Sequence, residues 1–193
     1  IIIFAGWRGV FVAFMIFGAI IIVWIASRVP ESLAPENRRP FQSKQLWSAV
    51  VEMLSHPTVR LSIIVQTLCL GALFTTLTMV QQIYGEIYDR ADSFPFWFGA
   101  VALVSGSASV LNAAFVVKVG MRRIVTLTLA VQIGLSSIMV LAQGVALDET
   151  VSFAMFVIWQ ATIFFMAGTT LGNLNAMAME PMGHIAGMAA SVV

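Results

Sequence analysis

Long apolar runs broken by short polar ones set the pattern of this chain. A bilayer core of about 30 Å takes roughly 20 apolar residues at about 1.5 Å rise each. Five stretches reach that length: residues 9–27, 59–83, 94–117, 124–143 and 151–173. A sixth opens near Ile185. Lipid offers the backbone no hydrogen-bond partner, so every stretch is expected to be helical. The expected fold is all-α and integral to the membrane, a polytopic helical bundle of five complete spans and the start of a sixth.

The connections between these runs differ. Residues 28–58 form the only long one. It opens with turn-prone "RVPESLAPENRRP" and continues as "FQSKQLWSAVVEMLSHP". There Phe41, Leu46, Trp47, Val50, Val51 and Leu54 recur at helical spacing. That predicts an amphipathic helix, lying on the membrane surface or packed against the bundle end. Pro57 closes it. The other connections are short, so the helices they join should be antiparallel neighbours.

Composition agrees. The chain is 60% hydrophobic and 10% charged, where a soluble domain is about a quarter charged. A soluble fold needs more polar surface than this. The net charge of +1 says little; the placement of the charges says more. Counting alternate sides, one side holds Arg28, Arg38, Arg39, Lys44, Arg60, Lys118, Arg122 and Arg123. The other holds Arg8 and Arg90, with Glu86, Asp89, Asp92, Asp148 and Glu149. Lys and Arg are retained on the cytoplasmic face. Loops 28–58 and 118–123 are therefore expected in the cytoplasm, with Arg38, Arg39, Lys118, Arg122 and Arg123 as topology anchors.

The chemistry of reaction is thin. Cys69 is the single cysteine, and His56 and His184 are the two histidines. No metal-ligand spacing, phosphate-binding loop or nucleophile elbow is present. No enzyme, metal, cofactor or nucleic-acid partner is expected; the lipid bilayer is the first partner. The chain begins "IIIFAGWRG" and ends "AGMAASVV" inside an apolar run, which reads as a piece of a longer protein.

No Asp or Glu falls deep in a span. Milder polarity is arranged in stripes. In the second span Thr67, Gly71, Thr75, Thr78 and Gln82 keep to one helical face. Ser105, Ser109 and Asn112 do so in the third. Thr162, Thr169 and Asn173 do so in the fifth, with Trp159 and Gln160 nearby. Such side chains line a watery cavity or tie helices together. Ser and Thr suit either use. For Gln160, Asn112 and Asn173 the expectation is a cavity, because a bare amide is costly to bury. Thr128, Gln132 and Ser136 make a weaker stripe in the fourth span. Gly99, Ala102, Gly106 and Ala113 in the third span, and Gly168 and Gly172 in the fifth, allow close helix approach. The first span has no polar residue between its ends and should face lipid on most sides. Trp7, Trp24, Phe94, Phe96 and Trp97 fall near the expected interfaces, as anchors. Glu180 and His184 read as part of a solvated cytoplasmic loop.

Four segments resemble a known family: "GWRGVF" at 6–11, "VPESLAPENRRPF" at 29–41, "VQQIYG" at 80–85 and "NLNAMAMEPMGHIAGMAAS" at 173–191. With the short basic loop "VGMRRI" at 119–124, they look like the middle and later part of a major facilitator superfamily transporter. Most similar is the Bcr/CflA (bicyclomycin-resistance) group of drug–proton antiporters. The resemblance implies that residues 1–27 are the last helix of the amino-terminal half and 28–58 the cytoplasmic central loop with its amphipathic helix. Residues 59–193 would be an incomplete carboxy-terminal half. The spans become helices six to ten, with helix eleven beginning at the end.

In that family helices seven, eight, ten and eleven line the cavity, helix nine is peripheral, and the proton-coupling acids usually lie in the amino-terminal half. The implied function is multidrug efflux in the bacterial inner membrane, with amphipathic drug-like molecules exchanged for protons by a monomer. The residues expected at the substrate are Thr75, Thr78, Gln82, Ser109, Asn112, Trp159, Gln160, Thr169 and Asn173. Import of a small metabolite on the same fold, or a membrane sensor or scaffold without flux, are the alternatives.

Overall fold

The computed structural model describes residues 2–30, 43–185 and 189. Arg38 and Arg39, and the side chains of Lys44 and His184, lie outside what is described. The chain divides into two compact units, Ile1–Gln42 and Ser43–Val193.

The first unit is one long helix, α1 (Ile2–Arg28). Gly6 interrupts it with φ 63°, and a helix long and apolar enough to span a membrane, Gly6–Arg28, follows. Trp7, Phe14, Phe17 and Trp24 are all exposed along it. Arg8 stacks its guanidinium 4.4 Å from the Trp7 ring, an arrangement suited to an interface, where the cation meets water and the ring meets hydrocarbon.

The second unit is a helical bundle. Its elements are α2 (Ser43–Ser55), α3 (Pro57–Gln82), a π turn (Ile83–Ile87), α4 (Phe94–Val119), α5 (Met121–Ala142), α6 (Glu149–Met179) and a 3₁₀ turn (Glu180–Ile185). With α1, five helices among the described residues are long and apolar enough to cross a membrane, and their cores match the expected spans. The helix α6 is the hub: α3, α4 and α5 each pack against it. It carries buried residues all along its length, from Phe153 to Ala178.

Local sequence explains the joints. Pro57 starts α3, since a proline nitrogen costs nothing in a first turn whose amides have no partner. Asp148 caps α6, its carboxylate accepting from the Thr150 amide at 2.9 Å. Between α4 and α5 the whole turn is Gly120, at φ 89°. A residue with a Cβ rarely takes that conformation, so glycine makes this reversal possible. Three cations flank this turn. Of the neighbours expected from the short connections, α5 and α6 pack side by side; α3 and α4 pack on α6 rather than on each other, and α4 and α5 meet only slightly.

Two ends of the bundle can be told apart. Thr58, Arg122, Arg123, Met177 and Glu180 border one hollow, which places the start of α3, the α4–α5 turn and the end of α6 together. The π turn, the end of α5 and the start of α6 meet at the other end. Lys118, Arg122 and Arg123 belong to the first end, and Glu86, Asp89, Asp92, Asp148 and Glu149 to the second.

At the basic end α2 packs through Met53 against Val59, Ala178 and Met182, and Ala49, on the same face of the helix, is buried too. Of its expected apolar face, Trp47, Val51 and Leu54 remain exposed. So α2 presents one narrow apolar edge to the bundle and a second outward. At the acidic end an aromatic cluster surrounds Tyr84, which meets Phe94, Phe153 and Phe156 edge-on at centroid distances of 5.3, 5.5 and 5.7 Å. Trp97 joins at 5.2 Å from Phe153. The sequence assigned Phe94 and Trp97 no role beyond anchoring; both are packing residues of this cluster. Phe96, 74% exposed, keeps the outward position of an anchor.

Candidate functional site

The polar stripe of α3 is the clearest feature. The buried residues of this helix are Val59, Ser62, Cys69, Thr76 and Val80, spaced to form one face. Thr67, Gly71, Thr75, Thr78 and Gln82 are exposed, every one, on the opposite face. Thr67 and Thr78 return their hydroxyls to carbonyls of their own helix, Thr67 to Ile63 at 2.9 Å and Thr78 to Phe74 at 3.0 Å. A Gln amide has no such easy local partner.

On α4 the expected single stripe divides. Ser105 and Asn112 are half-buried in the seam with α6, whereas Ser109 is exposed. Ser109 stands among Gly99, Ala102, Gly106 and Ala113, which are also exposed. The tight crossing of α4 and α6 is made elsewhere, at Gly168. A Cβ placed there would lie 2.9 Å from the Ala108 Cβ, so only glycine fits this approach.

The amides that sequence placed toward a cavity find partners inside the bundle. Asn173 donates from Nδ2 to Asn112 Oδ1 at 2.7 Å, tying α6 to α4, and also to the Thr169 carbonyl at 2.8 Å. Gln160 is fully buried, and its Oε1 accepts the Tyr84 hydroxyl at 3.0 Å. Its Nε2 has no partner. Tyr84 was missed from sequence; it stands on the π turn, a local widening that composition does not announce. Thr169 and Thr170 are buried and bonded to carbonyls of α6, with Cys69 beside Thr170.

Trp159 turns to a different neighbour. Its Nε1 donates to Ser136 Oγ of α5 at 3.0 Å, and Gln132 Nε2 donates to the same oxygen at 3.3 Å. Gln132 is buried, so the fourth span's weak stripe faces the bundle. Trp159 borders a cavity between the π turn, α5 and α6.

The expected site residues therefore fall into three groups. Thr75, Thr78, Gln82 and Ser109 lie on outward faces of α3 and α4. Gln160, Asn112, Asn173 and Thr169 lie in the seams around α6. Trp159 lies toward α5. Among the described residues no group of His, Cys, Asp or Glu is placed to hold a metal ion. Nothing in this arrangement offers a nucleophile beside a base. What it offers is a set of membrane-spanning helices with polar faces of two kinds, one satisfied inside the bundle and one turned away from it.

A family model for the Major Facilitator Superfamily matches residues 1–193. The chain belongs to the major facilitator superfamily. It is a multi-pass membrane protein of a transporter family, and its helices contact the lipid bilayer. No curated protein and no solved structure matches it.

Proposed function

We propose that this major facilitator chain is part of a multidrug efflux transporter of the Bcr/CflA type. It would expel amphipathic small molecules from the bacterial cell in exchange for protons by alternating access. The observation that carries the reading is the outward polar face of α3. A helix of membrane-spanning length gains nothing by turning Thr75, Thr78 and Gln82 toward lipid, and none of them serves the packing on α6. A polar-dotted face opposite the packing face suits the wall of a water-accessible path. Ser109 on the outer face of α4 extends that wall, and the Asn112–Asn173 pair lies at the edge of the α4–α6 seam. In this reading α3, α4 and α6 are helices seven, eight and ten, and α5 is the peripheral ninth.

The wall is neutral along the middle of the spans. That suits uncharged or amphipathic molecules better than sugars or phosphates. The acids of the described residues gather at helix ends, so proton coupling is assigned to the half of the transporter that pairs with this one.

The test uses the full-length protein in a bacterial host stripped of its own pumps, loaded with a fluorescent drug. Loss of the drug should stop when a protonophore collapses the gradient. Thr78→Leu should raise the half-saturating concentration for some substrates several-fold while the protein remains in the membrane. Drug loss that ignores the protonophore would remove proton coupling. No loss across a broad panel would remove efflux itself.

A further inference from the structure

At the acidic end of the bundle lies a cavity of about 540 Å³, within the usual range for small-molecule sites. The π turn, α5 and α6 border this half-open space, through Ile83, Tyr88, Met139, Met155, Phe156 and Trp159. No charged side chain lines it. Two methionines give it walls that adjust to shape, and three aromatic rings give it faces for stacking.

Its polar edge is specific. The Tyr88 hydroxyl is engaged with Ser152, 3.3 Å from the carbonyl and 3.2 Å from Oγ. The Trp159 N–H is spent on Ser136 Oγ. Ser136 thus accepts two N–H bonds, from Trp159 and Gln132. A hydroxyl has two acceptor sites and one proton to give. Its neighbour Ser137 gives that proton to the Ile133 carbonyl at 2.8 Å. Ser136 makes no such bond, and its side chain borders the cavity. Ser136 is therefore left with one O–H to donate at a mainly apolar wall, which the Gln143 amide also borders.

We propose that this cavity binds a neutral, mainly aromatic small molecule carrying one hydrogen-bond acceptor, such as a diaryl ketone. The acceptor takes the Ser136 proton, and the rings lie among Met139, Met155, Phe156 and Trp159. This site is separate from the outward face of α3 and does not depend on efflux.

Benzophenone is the probe, because it is a diaryl ketone that inserts into nearby C–H bonds on irradiation. The full-length protein in lipid discs would be irradiated with increasing benzophenone and the labelled peptides mapped by mass spectrometry. Saturable labelling at Met139 and Met155 is expected. Fluorenone should compete, and fluorene, alike in shape but without the ketone, should compete roughly three- to tenfold less well. Ser136→Ala should raise the half-saturating concentration by a similar factor, and Met155→Trp, which fills the space, should abolish saturation. Labelling that rises without limit over outward apolar residues would overturn the proposal as simple partitioning. Saturable labelling in detergent that vanishes in lipid discs would overturn it in favour of an acyl chain. Equal competition by fluorene would overturn the role of Ser136.

Discussion

Tyr84 and Gln160 are joined by one hydrogen bond in a fully buried setting. Such bonds between membrane helices contribute about 0.6 kcal/mol on average and up to about 1.7. Removing one partner costs more than the bond, because the other is stranded. Gln160 already leaves Nε2 without a partner, so Tyr84→Phe would leave the whole amide unpaired. A loss of about 1–3 kcal/mol is expected, read as a lower thermal midpoint of the purified protein. Gln160→Leu strands the Tyr84 hydroxyl alone and removes both ends of the amide, so it should cost less than Tyr84→Phe, which strands both. At the Asn112–Asn173 pair a double-mutant cycle with alanine should return a coupling near 0.6 kcal/mol. Gln160, Asn112 and Asn173 were legible in the sequence as polar residues that must be satisfied. Their partners were not. Helical spacing says which residues share a face, but not which neighbour that face meets, so a tie and a cavity wall look alike.

At the scale of elements the crossing of α4 and α6 sets a sharper test. Gly168→Ala gains roughly 1 kcal/mol of helix propensity. The new Cβ would sit 2.9 Å from that of Ala108, an atom fixed to the α4 backbone with no rotamer to turn aside. Overpacking of this kind costs about 1–3 kcal/mol. The cost wins, and Gly168→Ala should lower the thermal midpoint, whereas Gly172→Ala, with nothing within 4 Å, should not. Sequence alone paired the two glycines as one motif; only the crossing point separates them. The helix α2 divides in the same way. Its apolar residues were readable from their spacing, yet Met53 does the packing and Trp47, Val51 and Leu54 stay outside. If that outer edge rests in the membrane interface, brominated lipids should quench the Trp47 emission in a variant that retains this tryptophan alone. Trp47→Glu should leave the bundle's stability within about 0.5 kcal/mol of the parent's, read as a nearly unchanged thermal midpoint.

For the whole molecule the spans were the most legible feature, because hydrocarbon thickness dictates an apolar length that survives any detail of packing. Residues 9–27, 59–83 and 124–143 each lie within, or within a residue of, the helices observed. The π turn was hidden, since "IYGEI" differs in no way from an ordinary interfacial turn. The sorting of charges between the two ends was legible too, and it carries the topology. That assignment can be checked with the chain's own chemistry. Cys69, 3% exposed, is the natural cysteine, and Cys69→Ala gives a silent background. Lys118→Cys at the basic end and Ala146→Cys between α5 and α6 would then be labelled with a membrane-impermeant thiol reagent in intact cells. Ala146→Cys should react from outside, and Lys118→Cys should react only once the membrane is opened. Lys118 can be spared because Arg122 and Arg123 remain to hold the turn on its own side of the membrane. The reverse pattern would invert the bundle, turn the aromatic end and its cavity toward the cytoplasm, and leave the charge asymmetry without its physical cause.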